Sequence, residues 1–311
     1  MKTETVAFVG LPVDEALKIR KTHIEPEKQN RNSGKRISIV TGLHGDELEG
    51  QYVCYRVIER LKAEPQYLTG TVDVYPAMNP LGIESITRGY PAFDLDMNRL
   101  FPGSQDGEMT EYIASKIVED LEGSDVCLDI HASNMFLTEM PQARINVHTR
   151  KQLVPLAKFL NLDFIWVHAT STVLESTLAH TMNSLGVDTI VVEMGVGMRI
   201  TKEYGDQLTE GIFCLMKEEG IWDGPVIKPR EPIVSEDQRV HFLNAPASGI
   251  FVHEVQHSTR VKIGDLIGRI INPFTGEETA TLMSPTNGLL FTIREYPVVD
   301  EGSLLARILE L

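Results

Sequence analysis

Residues 36–50 read RISIVTGLHGDELEG, and this stretch decides the fold class. Residues 36–41 form a short β-branched run that reads as a buried strand. The run stops at Gly42-Leu43-His44-Gly45. Residues 47–62 then place Tyr52, Val53, Val57, Ile58 and Leu61 on one helical face. A strand feeding directly into a helix is the first half of a βαβ unit. The alternation continues outward. Further strands are expected at 71–75 (TVDVY), 126–130 (VCLDI) and 187–192 (VDTIVV). Helices are expected at 108–121, 151–160, 175–185 and 202–219. The expectation is an α/β fold, with a mostly parallel sheet covered on both faces by helices.

Two stretches break the alternation. Residues 76–107 are rich in Pro, Gly, Asn and Asp and show no clean period. They read as one long loop, and long loops inside compact domains are usually functional. After Trp222, three prolines (Pro225, Pro229 and Pro232) punctuate a linker-like segment. From Val240 onward short β-rich runs and frequent glycines replace any helical period, which points to a small barrel or sandwich. The expected division is therefore an α/β domain over residues 1–235 and a smaller all-β domain over 236–311.

Composition narrows the function classes. The 311 residues are 42% apolar and 23% charged, ordinary for a chain with a large core and too apolar for disorder. Against 29 Lys and Arg stand 44 Asp and Glu, a formal charge of −15 that repels phosphate backbones and anionic membranes. No nucleic-acid or membrane partner is expected. Cys54, Cys127 and Cys214 are odd in number and widely spaced, so they read as buried thiols in a reducing compartment. The first 21 residues carry no long apolar run, so neither a signal peptide nor an anchor is expected and the chain reads as cytoplasmic.

The chemistry begins at His44 and Glu47. They are three apart and bridge a strand end and a first helical turn, where an imidazole and a carboxylate can converge on one metal ion. Alone, His-x-x-Glu also suits a polar loop with a carboxylate at a helix start. His131 follows the strand VCLDI and supplies a third candidate ligand at another carboxyl end. Asp129, two residues before it on the same face, can accept the second N–H of a ligating imidazole. Two histidines and a carboxylate leave room for water on zinc. Glu193 closes VDTIVV and is an unusual place for a merely solvated charge, so it reads as the proton acceptor for that water. Arg88, Asn98 and Arg99 lie in the long loop; guanidinium forks match a carboxylate, so the expected partner is a small molecule with a free carboxylate. Pairing of either arginine with Asp94 or Asp96 is the structural alternative. His23, His168, His180, His241, His253 and His257 fall in no ligand-like spacing and read as surface or core residues.

Taken together, TGLHGDELEG (41–50), YPAMNPLGIESITRG (75–89), DLDMNRLFPG (94–103), LDIHAS (128–133) and VVEMG (191–195) resemble the succinylglutamate desuccinylase and aspartoacylase family. That family is related to the zinc carboxypeptidases. The motifs come in the family's order and span nearly the whole first domain. SGIF, GDLIG and SPTNG (248–288) look like the small β domain that follows the family's catalytic domain. Their spacing is also similar to biotinyl and lipoyl carrier barrels, but no Met-Lys-Met attachment site is present.

The resemblance implies a mixed, largely parallel sheet of zinc carboxypeptidase type and one zinc per chain on His44, Glu47 and His131. It implies Glu193 as the general base that later returns a proton to the leaving amine. It also implies that Arg88, Asn98 and Arg99 bind the substrate carboxylate or polarise the scissile carbonyl. Arg144 and His148 are candidate pocket members. The expected function is zinc-dependent removal of an acyl group from an N-acyl amino acid. A metallocarboxypeptidase, an esterase with the same site, and a binding protein with a decayed site are the alternatives. Acyl group and oligomeric state stay open, a homo-oligomer included.

Overall fold

The computed structural model describes residues 1–28, 33–92, 94–169, 175–236 and 239–311. Its strands are β1 (Lys2–Gly10), β2 (Ala16–Ile24), β3 (Arg36–Thr41), β4 (Thr71–Tyr75), β5 (Val126–Ala132), β6 (Leu137–Asn146), β7 (Phe164–His168) and β8 (Asp188–Gly195). The later strands are β9 (Ile233–Glu236), β10 (Val240–Asn244), β11 (Gly249–His253), β12 (Thr259–Val261), β13 (Leu266–Asn272), β14 (Glu277–Met283), β15 (Gly288–Arg294), β16 (Val298–Val299) and β17 (Leu304–Glu310). The helices are α1 (Glu49–Ala63), α2 (Pro80–Ser85), α3 (Met109–Leu121), α4 (Arg150–Ala157), α5 (Leu178–Ser184) and α6 (Lys202–Glu218).

The central sheet is mixed. Its order runs β1-β2-β4-β3-β5-β8-β6-β15-β17-β10. β4, β3, β5 and β8 are mutually parallel, so their carboxyl ends lie on one edge. β6 runs antiparallel to β8 and parallel to β7. Buried residues of α1 and α6, such as Val53, Val57, Leu208 and Ile212, pack on one face. Ile113, Ile117, Leu178 and Met182 of α3 and α5 pack on the other. All seven residues of β5 are buried, which is why its sequence shows no alternation.

Three features depart from the sequence expectation. The N-terminal hairpin β1–β2 and the pair β6–β7 were not anticipated. Residues 76–107 hold more order than one long loop: Asn79 caps α2 by accepting the Gly82 N–H at 2.9 Å, Pro80 starts it, and Met97–Arg99 form a single 3-10 turn. Phe93 of that stretch lies outside the described residues.

The C-terminal region forms a sandwich. Four strands, β14-β13-β11-β16, face the end of the large sheet across a core that includes Phe251, Ile267, Ile270, Leu290 and Ile308. β15 pairs with β6, Thr292–Arg294 against Leu137–Glu139, and this joins the region to the central sheet. The three cysteines are free and buried. Among the described residues no helix is long and apolar enough to cross a membrane.

Candidate active site

The parallel strands aim their carboxyl ends at one cavity of about 470 Å³. His44 follows β3, His131 lies near the end of β5, and Glu193 stands beside His131 in the β5–β8 register. Nδ1 of His44 lies 2.7 Å from Oε1 of Glu47, and Nδ1 of His131 lies 2.9 Å from Oε2. One ligand atom from each of the three residues falls within 4.8 Å of the others, and all three side chains are buried. Ala132 donates its backbone N–H to Glu47 Oε2 at 3.1 Å and fixes that carboxylate.

The far nitrogens are also held. Nε2 of His131 lies 3.1 Å from Asp129, and Nε2 of His44 lies 3.0 Å from Asp96. A carboxylate behind each imidazole sets its orientation and makes the inward nitrogen a better donor. Burial would raise the Glu47 carboxyl, but the neighbouring imidazoles of His131 and His44 more than offset it and hold the group well below the usual carboxylate range. Burial lowers the two imidazoles, yet the carboxylates around them leave both above the usual histidine value. A buried carboxylate between two imidazoles, which binding an ion would deprotonate, is a donor set that suits a divalent ion, and nitrogen with oxygen is the set zinc takes.

The glycine of the His-Gly-Asp-Glu turn has a packing reason. A Cβ on Gly45 would stand 2.0 Å from the carbonyl carbon of Gly82 in α2. That close approach brings α2 and Arg88 beside the cluster, and Gly45 donates its N–H to the Arg88 carbonyl at 3.2 Å. Arg88 reaches Glu47 at 2.9 Å and Asp96 at 3.5 Å. Asn98 is buried and spends its amide oxygen on the Leu178 N–H at 2.9 Å, which leaves the NH₂ group to offer. Arg99 is exposed on the same wall and donates to the Asn98 carbonyl at 2.7 Å.

Glu193 is boxed in. Burial pushes its carboxyl up to about 7; the guanidinium of Arg144, 3.2 Å away, pulls it back, and Glu139 adds to the rise. Arg144 also bonds Glu139 at 2.7 Å, and Arg307 bonds Glu139 from the other side.

His44, Glu47, His131, Arg88, Asn98, Arg99 and Glu193 thus all line one cavity, and so does Arg144. His148 lines an adjoining cavity of about 350 Å³ and not this one. His168, which no ligand-like spacing had marked, lines both. Glu139 and Arg307 were not seen in the sequence. Glu139 sits in a strand that its own polar residues disguise, and Arg307 comes from the C-terminal region.

The sequence profile of the succinylglutamate desuccinylase/aspartoacylase catalytic domain matches residues 33–218, more than half of the chain. The chain belongs to this family. A curated relative, the N-alpha-acetyl-L-2,4-diaminobutyric acid deacetylase of Halomonas elongata, is 26% identical over 283 residues, covering 89% of this chain and 78% of that protein. Among solved structures, the product-bound ectoine utilization protein EutE (DoeB) of Ruegeria pomeroyi superposes with a TM-score of 0.81 at 21% identity, over 96% of this chain and 90% of that one. A succinylglutamate desuccinylase/aspartoacylase from Rhodobacter sphaeroides gives 0.80 at 22% identity, over 98% and 93%. These two likenesses extend the family's fold through the C-terminal sandwich. The family match itself ends before Arg307, so that arginine lies outside the segment that identifies a succinylglutamate desuccinylase/aspartoacylase member.

Proposed function

We propose that the protein is a zinc-dependent hydrolase that removes an acyl group from an N-acyl amino acid. The observation that carries this reading is the position of Glu193 directly beside the His44–Glu47–His131 cluster, one strand over from His131. The deacetylase named above, which acts on an N-acetyl amino acid, supports the substrate class.

His44, Glu47 and His131 would hold the zinc, which when bound supplies a Lewis acid that activates water and polarises a carbonyl. Glu193 takes the proton of the attacking water and returns it to the leaving amine nitrogen. A carboxyl near neutrality suits both halves of that transfer. Arg88, which already reaches Glu47, donates to the carbonyl oxygen on which negative charge grows. Arg99 and the NH₂ group of Asn98 hold the substrate's free carboxylate. The cavity is of the size that small-molecule sites have, commonly about 300–1,000 Å³.

Two substitutions test this. Glu193→Gln is expected to keep zinc and lose about a hundredfold or more in kcat, the usual cost of removing such a group. His44→Ala is expected to lose the zinc itself, read by elemental mass spectrometry of the undialysed protein. Wild-type turnover by the glutamine variant, or no zinc in the wild-type protein even after incubation with the ion, would overturn the reading. Release of the terminal residue from peptides, with no deacylation of N-acyl amino acids, would move the assignment to a carboxypeptidase.

A further inference from the structure

Glu139 of β6 is completely buried, and three side chains serve its carboxylate. Arg144 donates to Oε2 at 2.7 Å, while Arg307 and the Thr292 hydroxyl, the latter at 3.2 Å, donate to Oε1. Arg144 and Glu139 come from the α/β part of the chain, whereas Thr292 and Arg307 come from β15 and β17. Both guanidiniums lie over the Trp166 ring, 5.7 and 5.6 Å from its centre. The other amino group of Arg144 reaches Glu193 at 3.2 Å.

Stability alone does not account for such a group. Burying the Glu139 carboxylate between two half-buried arginines costs desolvation, and an apolar residue of similar volume often folds at least as well in such a place. Its geometry does account for a division of labour. Arg144 has one fork and two carboxylates to serve. Arg307 and Thr292 satisfy the far oxygen of Glu139, so Arg144 need supply only one amino group there. Its second amino group stays pointed at Glu193. Without Arg307, Oε1 of the buried Glu139 would keep only the Thr292 hydroxyl and no charged donor, and the carboxylate would compete for the whole fork.

We propose that Arg307 is a positioning residue of the active site, acting through Glu139 and Arg144 to fix the carboxylate of Glu193. The C-terminal sandwich thereby completes the catalytic apparatus. This rests on the reading of Glu193 as the proton acceptor.

The test uses the zinc-loaded full chain and the variants Arg307→Met, Arg307→Lys, Glu139→Gln, the Arg307→Met/Glu139→Gln pair and Glu193→Gln. Positioning predicts that Arg307→Met lowers kcat by about 10- to 100-fold, the scale on which a small misplacement acts. KM and zinc content hold, and Arg307→Lys recovers part of the loss. The double variant is expected to be no worse than Glu139→Gln alone, because both act through one network. Independently of any substrate, nitrogen-15 spectra of the arginine side chains, assigned with Arg144→Lys, are expected to show the Arg144 amino signals altered in Arg307→Met. Unchanged Arg144 signals would overturn the proposal. So would a wild-type kcat in Arg307→Met while Glu193→Gln is dead, a result that leaves the base reading standing. A raised KM at unchanged kcat would make Arg307 a substrate contact instead and overturn positioning. Wild-type turnover by Glu193→Gln would remove the base reading and this one with it. If Arg307→Met does not fold, Glu139→Gln and Arg307→Lys carry the same comparison.

Discussion

Asp96 and Asp129 stand in the same relation to the two imidazoles, yet only one of them could be read from the sequence. Asp129 lies two residues before His131 in an extended strand, so both side chains share a face by construction. Asp96 lies fifty-two residues from His44 and reaches it only through a tertiary contact. We expect Asp96→Asn to weaken zinc binding by about 10- to 100-fold, the usual cost of losing such a partner. Competition with a chelator measures this, and an unchanged affinity would show that Asp96 serves Arg88 alone. The cysteines make a second residue-scale prediction. Burial pushes the Cys54 thiol up to about 12, and Cys127 and Cys214 are raised by burial as well. A thiolate is the reactive form, so a disulfide reagent is expected to label none of the three within minutes in the native protein and all three in guanidinium. Rapid native labelling would place a thiol at the surface.

At the scale of elements, β3, α1, β4, β5, β8 and α6 were legible because their apolar residues keep a period or a continuous run. β6 was not. Its sequence LTEMPQARIN puts a proline and five polar side chains into a largely buried strand, and the proline and the charged residues argue against one. The ladder to β8 shifts between Glu139 and Gln142, and that irregularity accommodates Pro141. Two of those polar residues, Glu139 and Arg144, line the candidate site, and there the demands of the site mask the strand. β2 is hidden on a smaller scale: Lys21 occupies the inward position after Leu17 and Ile19, neutralised by Asp73 and Asp120. Packing, not propensity, also decides the outcome at α6. A Cβ on Gly211 would stand 2.0 Å from the Leu160 carbonyl oxygen. Helix propensity alone favours Gly211→Ala by about 1 kcal/mol. Overpacking against a backbone costs about 1–3 kcal/mol, and we expect it to win. Calorimetry is then expected to show a lower Tm with activity at room temperature intact, and a higher Tm would mean the Leu160 turn yields freely.

At the scale of the whole molecule, the sequence does not tell how its α/β and β-rich parts join, because the pairing of β15 with β6 leaves no mark in either strand. We propose that residues 1–235 and 236–311 are two architectural units that fold as one. The sheet runs through both. A shared apolar cluster sets Met140, Phe164 and Trp166 against Val240, Leu289, Phe291 and Leu309. Removing the second unit would uncover the Phe164 and Trp166 rings and free the β6 edge over Leu137–Glu139, a template for aggregation. It would also strip Glu139 of Arg307 and Thr292, leaving a buried carboxylate with a single partner. A fragment of residues 1–235 is therefore expected to be insoluble or to bind a hydrophobic dye, and to lack deacylase activity. The intact chain is expected to unfold in one calorimetric transition. A soluble fragment with a cooperative transition and full activity would show that the sandwich is an appendage, and it would at the same time leave Arg307 with no part in the active site.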